Sequence, residues 1–288
     1  MYSRFLLGAV IAVATASTAA ASDKIVKIGV LTDLSGIYAD LAGPGSVLAA
    51  QMAVEDSGLK EKGWTINVIS GDHQQKPDNG SNIARQWLDV DKVDMIADVP
   101  NSGVALAVNN IVKEKNAVFI NSGGGSSDLT NAQCTPNTVH WTYDTYNLAY
   151  GTGTALTKAG GDTWFFLTAD YAFGAALERD TTEALKAAGG KVVGKVKHPL
   201  NTSDFSSFLL QAQSSNAKII GLANAGGDTS NAIKQAAEFG ISNIDRQRCR
   251  TGSLLGALPS EIDQPLPIEG RELHPAEFSF ERSHHSGF

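Results

Sequence analysis

Apolar residues between positions 24 and 241 fall into two alternating patterns. Short runs rich in Val, Ile and Phe are typical of buried strands, and longer runs with a helical period follow them. In the stretch 26–56, an apolar run at 26–31 and a second one at 47–54 flank a polar loop. Because strand and helix alternate along the chain, the pattern predicts an α/β fold whose parallel sheets are flanked by helices.

The individual elements are assigned from these runs. Strands are predicted at 26–31, 65–69, 93–97, 117–120, 163–167, 191–196 and 219–223. Helices are predicted at 47–54, 77–88, 104–115, 147–158, 173–188, 205–213 and 228–239. Ser102 is placed to cap the third helix, because its hydroxyl can accept a hydrogen bond from a first-turn N–H group.

A long stretch at 121–138, rich in Gly, Ser, Asn and Pro, interrupts this rhythm. A loop of that length without secondary structure is usually functional or a linker. We therefore expect two lobes, an N-terminal lobe at 22–141 and a partial C-terminal lobe at 142–241.

The first 21 residues have the features of a secretory signal peptide. Arg4 provides a positive start, residues 5–13 are apolar, and Ala19–Ala21 offers a cleavage site. The mature chain is therefore expected to be exported, and the formal net charge of -7 disfavours binding to nucleic acid. A disulfide between Cys134 and Cys249 is left open, because sequence alone does not decide it.

Small polar residues and glycines recur where the predicted strands end. The third strand is followed by Asn101 and Ser102, and the fourth is followed by the turn 122–126. In open parallel sheets ligands bind at the carboxyl ends of strands, and a helix N-terminus favours a bound carboxylate. The alternative is that Ser102 and Asp228 only cap helices and that the glycines form a loop without a ligand.

The sequence lacks the motifs of the common α/β enzymes. No Gly-Lys-Ser/Thr follows the glycines, the first strand–helix turn has no G-x-G-x-x-G, and neither G-x-S-x-G nor H-E-x-x-H occurs. Asp72 and His73 are adjacent but have no third ligand at metal-binding spacing. We therefore expect no catalytic residues, no metal and no cofactor, and the sequence argues against a hydrolase or a dehydrogenase.

Several segments resemble one family of binding proteins. They include IGVLTDLSGIYADLAGPG, DVPNSGVALAV, VFINSGGGSSDLTN and FFLTADYAFGAALE. These are similar to the leucine/isoleucine/valine-binding family, the periplasmic solute-binding proteins of branched-chain amino acid ABC importers. The resemblance implies a two-lobed, type I periplasmic-binding fold that closes on a small amino acid or on an aromatic or aliphatic carboxylate. It also implies a protein that is not an enzyme and that delivers its ligand to permease subunits in the membrane; we expect it to be a monomer.

The resemblance also implies which residues contact the ligand. Relatives hold the ligand carboxylate with the residues after the third strand, and the turn after the fourth strand adds main-chain and hydroxyl contacts. In the second lobe, Phe173 occupies the aromatic position of a Tyr-Gly motif, so a phenolic hydroxyl is lost that nearby Tyr171 partly replaces. The predicted ligand-binding residues are Asn101, Ser102, Ser122, Gly123, Gly124, Ser126, Tyr171, Phe173, Asn224 and Asp228.

The composition changes after Ile241. The stretch 244–288 contains no Lys but holds five of the eight Arg of the chain. Members of the resembled family continue with further strand–helix units, so we hypothesise that the reading frame is disrupted near Ser242 and that 242–288 is an aberrant tail. The alternative is a divergent, partly disordered C-terminus. A disrupted frame predicts an incomplete second lobe with an unpaired sheet edge, weak ligand binding and low stability.

Two further functions are weighed against that of an importer component. One is a ligand-sensing domain of the same fold in a signalling system, and the other is a non-functional truncated relative. Sensing domains usually carry a membrane span or lie in the cytoplasm, whereas this chain has a leader and no other apolar run near the length of a span. The sequence therefore favours the periplasmic substrate-binding component of an ABC importer.

Overall fold

The structure is a computed structural model that describes residues 24–241 and 250–253. The predicted signal peptide and most of the predicted tail, 242–249 and 254–288, lie outside the described residues. In the part that is described, none of the helices has the length and apolar character needed to cross a membrane.

Strands and helices alternate along the described chain. The strands are β1 (Ile25–Thr32), β2 (Thr65–Asp72), β3 (Met95–Asp98), β4 (Val118–Asn121), β5 (Thr138–His140), β6 (Thr163–Ala169), β7 (Lys191–His198), β8 (Ile219–Ala223) and β9 (Arg250–Ser253). The helices are α1 (Gly43–Asp56), α2 (Pro77–Asp89), α3 (Ser102–Lys115), α4 (Thr145–Leu148), α5 (Thr154–Lys158), α6 (Ala172–Ala187), α7 (Ser206–Ser214) and α8 (Gly226–Glu238). A π-helical turn at Ala149–Gly153 joins α4 to α5.

The described residues form two compact units, each with its own sheet. Unit 1 contains residues 24–145 together with Tyr171–Ala176, and unit 2 contains Tyr146–Asp170 with the described residues from 177 onward. The sheet of unit 1 has the strand order β2-β1-β3-β4-β5, and that of unit 2 has the order β7-β6-β8-β9. Every pairing is parallel, which confirms the predicted α/β class with parallel sheets.

The core of unit 1 lies between its sheet and helices α2 and α3. Its largest members are Trp87 of α2 and Phe119 of β4, and the aliphatic residues of α3 fill the space beside them. The indole of Trp87 packs against β1, where a Cβ at Gly29 would lie 2.5 Å from two of its ring carbons. Glycine at that position therefore leaves room for the indole.

The core of unit 2 covers both faces of β6. The side chains of this strand are buried from Trp164 to Ala169, and all of them except that of Thr168 are apolar. On one face, Phe165 and Leu167 pack with residues of α7, β8 and α8, and Ile241 closes the end of this cluster. A continuous apolar run, rather than an alternating one, is what a strand covered on both faces requires.

Three of the departures from the predicted elements concern β5, the start of α3 and β9. The 121–138 stretch is followed by a short strand, β5, whose three residues pair with β4. Helix α3 begins at Ser102, and its cap is Asn101, so the prediction that Ser102 caps this helix is wrong. Within the predicted tail, β9 pairs with β8. The sequence analysis predicted no strand in that stretch.

Helices α2 and α3 cross so closely that glycine is required at the crossing. A Cβ at Gly80 would lie 2.3 Å from Val104 Cγ1, whereas nothing lies within 4 Å of the position where Gly45 of α1 would carry one. We expect Gly80→Ala to lower the melting temperature followed by circular dichroism. Gly45→Ala, the matched control, should be neutral or stabilising, because alanine is the better helix former by about 1 kcal/mol.

The double variant Gly80→Ala/Val104→Ala tests whether the loss of stability in Gly80→Ala comes from steric overlap with the Val104 side chain. Removal of the Val104 methyl groups relieves the contact, so the double variant should be more stable than the sum of the two single changes predicts. Additive effects would mean that the helices do not meet at this pair.

Candidate functional site

The loops that leave the carboxyl ends of the unit 1 strands contain strained backbone. Gln74 and Gln75 after β2 have φ values of +51° and +60°, and Asp98 and Val99 at the end of β3 have values of +77° and +63°. Residues other than glycine rarely adopt this region, and a β-branched residue such as Val99 is a clear outlier. Strain of this kind accumulates at functional sites, and parallel sheets bind ligands at this edge.

Asn101 and Ser102 fix the start of α3. Asn101 Oδ1 accepts a hydrogen bond from the Val104 N–H at 3.0 Å, and its Nδ2 donates to Gln75 Oε1 at 2.7 Å. The Ser102 hydroxyl accepts from the Ser126 N–H at 3.1 Å. Both predicted ligand residues are buried, and these hydrogen bonds join the loops after β2, β3 and β4.

The turn after β4 is built from residues that leave no room for side chains. A Cβ at Gly123 would lie 2.7 Å from Pro100 Cα, and one at Gly124 would lie 2.9 Å from Ala105 Cβ. The turn is held by Asn121, whose Oδ1 accepts from the Gly124 N–H at 2.9 Å and whose Nδ2 donates to the Gly124 carbonyl. The main chain of this turn therefore packs tightly onto the loop before α3.

The predicted residues at the two ends of this turn differ in exposure. Ser122 is exposed, and its hydroxyl donates to Asp98 Oδ1 at 3.2 Å. Ser126 is buried, and its hydroxyl accepts from the Asp128 N–H at 3.3 Å. Ser122 is thus the hydroxyl of the turn that a ligand can reach.

Aromatic side chains cover the other side of the turn. A Cβ at Gly125 would lie 3.0 Å from ring carbons of both Phe173 and Tyr143. Phe173 is buried, and its ring centroid is 6.1 Å from that of Tyr171. The Tyr171 hydroxyl forms a hydrogen bond with the hydroxyl of Tyr38, which lies on the loop after β1. Phe173 therefore packs against the glycine turn, and Tyr171 lies next to Phe173.

The sequence analysis missed a network of hydrogen bonds that joins the loops after β1, β2 and β3 at this edge. Asp33 accepts hydrogen bonds from the N–H groups of Gly36 and Tyr38, both at 2.9 Å, and from the Gln75 side chain. Gln75 in turn accepts from Asn101. Asp33 follows directly after β1, so a search for polar residues at the ends of the predicted strands would have found it. No local feature of the sequence indicates Gln75.

Asp98 is a buried acid in the middle of the edge. Its side chain is 4% exposed, and Oδ2 has no hydrogen-bond partner among the described residues. Burial raises the pKa of this carboxyl group above its usual value, and the hydroxyls of Thr32, Ser46 and Ser122 offset only part of that effect. The sequence analysis did not include Asp98 in the site.

His73 lies buried at the end of β2 and is neutral. Its Nδ1 accepts from the Gln75 N–H at 3.0 Å, so the ring hydrogen is on Nε2, which is buried without a partner among the described residues. Burial lowers the pKa of His73 from 6.5 to about 4, although the charges of Asp33 and Asp72 act in the opposite direction.

The predicted residues of unit 2 are bonded to their own unit. Asp228 accepts from the Asn201 N–H at 3.1 Å and from the Thr202 N–H at 2.8 Å, so each carboxylate oxygen has a main-chain donor. Asn224 is buried; its Nδ2 lies 3.1 Å from His198 Nε2, and its Oδ1 accepts from the Thr229 hydroxyl at 2.7 Å. These contacts hold the loops after β7 and β8 together.

Unit 1 therefore brings eight of the ten predicted residues to one sheet edge or the segment packed against it, and unit 2 holds Asn224 and Asp228. The edge of unit 1 offers main-chain amides, hydroxyls and aromatic rings. Among the described residues, no group of three or more His, Cys, Asp or Glu side chains is arranged to hold a metal ion. Such an edge is suited to hydrogen bonding with a small polar ligand.

A sequence profile of the family described as periplasmic binding protein matches residues 25–258. The chain belongs to this family. It is similar to a periplasmic binding protein from Burkholderia mallei of known structure, with 55% identity and a TM-score of 0.77 over 81% of this chain and 61% of that chain. It also resembles a branched chain amino acid ABC transporter periplasmic ligand-binding protein from Burkholderia xenovorans LB400, with 39% identity and a TM-score of 0.65 over 79% and 60% of the two chains.

A curated relative carries the same type of name. Leu/Ile/Val-binding protein homolog 6 of Brucella abortus (strain 2308) is 24% identical over 246 residues, which are 85% of this chain and 62% of the relative. The chain spans about three fifths of the length of the relatives it matches. The predicted resemblance and the predicted type I fold are confirmed.

Structures with lower identity share the fold. Two solute-binding proteins of ABC transporters from R. palustris, in complex with 4-hydroxybenzoate and with benzoate, each give a TM-score of 0.69 at 23% and 24% identity. The matches cover 80% of this chain and 61% and 62% of those two chains.

The titration of His73 predicts how stability depends on pH. The folded chain keeps His73 neutral down to about pH 4, whereas the unfolded chain protonates it below about 6.5. Protons therefore favour the unfolded state in this window, and stability should fall by up to about 3 kcal/mol from pH 6.5 to pH 4. His73→Asn, whose Oδ1 can replace Nδ1 as acceptor, should flatten this part of the urea-derived stability profile. An unchanged slope would contradict the assignment.

Asp98 predicts a pH effect of the opposite sign. Its raised pKa means that the folded state binds the proton more tightly, so ionisation destabilises the fold as pH rises above the ordinary value of 3.8. Asp98→Asn should raise the melting temperature at pH 8, and the gain should shrink as pH falls towards 4.

The matched control for Asp98 is Asp72→Asn. Burial alone raises the pKa of Asp72, but hydrogen bonds from Ser35, Gln74 and Leu34 together outweigh burial and hold that pKa below its usual value. Because the ionised form of Asp72 is favoured by folding, its loss should lower the melting temperature at pH 8. A higher melting temperature at pH 8 in both variants would contradict this explanation, because it would mean that loss of one negative charge stabilises the protein whatever the surroundings of the carboxyl group.

Proposed function

We propose that this chain is the periplasmic substrate-binding component of an ABC importer, which captures a small amino acid or another small carboxylate and delivers it to membrane permease subunits. The observation that carries the proposal is the edge of unit 1, where the start of α3 and the glycine turn after β4 lie side by side. The family, and the names of its more similar members, support transport. We further propose that the protein is exported through its signal peptide, acts as a monomer, does not bind nucleic acid and catalyses no reaction.

The chemistry of this edge supports a ligand that carries a carboxylate group. The first turn of α3 has main-chain N–H groups without partners inside the helix, and the dipole of this 14-residue helix favours a negative charge there. The exposed Ser122 hydroxyl lies beside it, on the turn whose glycines allow a ligand to approach the main chain. Phe173 and Tyr143 border the turn and offer apolar contact to the rest of the ligand.

Two ligand classes merit direct comparison. An aliphatic amino acid is favoured by the names of the Burkholderia xenovorans and Brucella relatives. Benzoates are bound by the R. palustris proteins of the same fold, and the aromatic rings around Gly125 could pack against such a ligand. Both classes carry the carboxylate that the edge of unit 1 is suited to hold.

Calorimetric titration of the purified chain with leucine, benzoate and 4-hydroxybenzoate tests the proposal. At least one of them should bind with one-to-one stoichiometry. Ser122→Ala should weaken that ligand roughly tenfold or more, because a hydrogen bond to a charged group contributes about 1.5–3 kcal/mol. Ser57→Ala, an exposed serine at the far end of α1, is the control and should bind as the unaltered chain does. No binding of any of the three at millimolar concentration would count against the proposal.

A further inference from the structure

Asp98 and Ser122 meet in a geometry that allows one hydrogen-bond direction at a time. Ser122 Oγ lies 3.2 Å from Asp98 Oδ1, and the Ser122 N–H donates to the Asp98 carbonyl at 3.3 Å. An ionised carboxylate can only accept, so it takes the hydrogen of the Ser122 hydroxyl. A protonated carboxyl group can donate to the Ser122 oxygen instead, and the hydroxyl hydrogen is then free to point elsewhere.

The surroundings of Asp98 supply hydroxyls but no counter-ion. The groups that face its carboxyl group are the hydroxyls of Thr32 at the end of β1, Ser46 on α1 and Ser122 after β4. No charged side chain among the described residues shifts its pKa or forms an ion pair with it. Asp33, another buried acid of this edge, has its own main-chain donors. An added negative charge beside Asp98 would therefore meet an uncompensated buried carboxylate.

We propose that the Asp98 carboxyl group takes up one proton when an anionic ligand binds beside Ser122, so that capture of the anion is coupled to protonation of the protein. This inference rests on the proposed function and concerns the same edge of unit 1. It assigns to Asp98 a positioning role, because the residue acts on the ligand through the Ser122 hydroxyl.

The coupling follows from charge and from hydrogen-bond direction. Two like charges in a partly buried site repel each other, so the arriving carboxylate disfavours the ionised form of Asp98. Once Asp98 is protonated, it donates to Ser122 Oγ, and the Ser122 hydroxyl turns its hydrogen towards the ligand. The buried, unpartnered position of Oδ2 already favours the neutral acid. The proton comes from solvent, and no covalent bond of the ligand is made or broken.

Calorimetry in two buffers of different ionisation enthalpy tests the proposal and separates it from the proposed function. Benzoate and leucine are titrated into the purified chain in phosphate and in Tris at equal pH, with benzamide and leucinamide as uncharged-carboxyl controls. At a pH well above the pKa of Asp98 in the free chain, binding of a carboxylate should take up close to one proton, and its Kd should rise by up to about tenfold per pH unit in that range. The amides should take up none.

The outcomes distinguish the two claims. If neither carboxylate binds, the proposed function is overturned, and the coupled capture falls with it. If a carboxylate binds without proton uptake, the proposed function stands and the role of Asp98 is overturned.

Variants at two carboxyl groups locate the proton. In Asp98→Asn the side-chain amide can donate permanently to Ser122, so binding should persist, take up no proton and lose its pH dependence. Asp72→Asn, at the end of β2, should keep both the uptake and the pH dependence. Proton uptake that persists in Asp98→Asn would place the proton elsewhere and overturn the proposal.

A measurement without ligand keeps the proposal falsifiable in case a variant fails to fold. Carbon-detected magnetic resonance of the aspartate side chains follows the ionisation of Asp98 directly in the unaltered chain. The carboxyl group should titrate above the ordinary value of 3.8. Titration at or below that value would mean that Asp98 is already a stable anion, and the proposed coupling would be excluded.

Discussion

The parallel pairing of β1, β3 and β4 is the constraint on which the candidate site depends. Main-chain hydrogen bonds set Leu31 opposite Asp98 and Asp98 opposite Asn121. Because the three strands run in the same direction and in this register, the chain leaves the sheet at one level in three neighbouring places. The strand pairing alone therefore brings the start of α3 next to the glycine turn after β4. The side chains at this edge only refine that arrangement.

The left-handed backbone at Asp98 and Val99 shows how firmly the sheet imposes this arrangement. Such conformations cost on the order of 1–3 kcal/mol for each residue and persist only where the surroundings enforce them. Here the Val99 N–H donates to the Leu31 carbonyl at 2.9 Å, and the Val99 side chain is buried in the core of unit 1. The sharp turn that results directs the chain into α3 and buries Asn101 as its cap. Strain in the loop is thus the consequence of starting a helix directly above the strand ends.

The amino-acid pattern predicted the regular elements well and the polar contacts poorly. The strand at 219–223 was predicted to the residue, because an apolar run between polar segments carries its own signal. The cap of α3 was misplaced by one residue, since Asn101 and Ser102 are both suitable caps and only the backbone angles decide between them. Strand β5 was missed because three residues are too few to show a period. Gln75 and Asp98 were missed because their partners, Asp33, Asn101 and Ser122, are distant in the chain, and no local pattern records such pairings.

Burial acts on the two unusual titratable groups of this edge in the same way. It disfavours the charge of His73 and the charge of Asp98, so the pKa of the base is lowered and that of the acid is raised. The edge of unit 1 therefore tends towards neutral hydrogen-bonding groups, not ion pairs, where a ligand would bind. An anion held by neutral donors gains about 1.5–3 kcal/mol for each hydrogen bond, without the desolvation that a buried ion pair demands. Hydrogen bonding of that kind favours ligands whose acceptors match the directions of the donors, because the main chain and the buried side chains of this edge fix those directions.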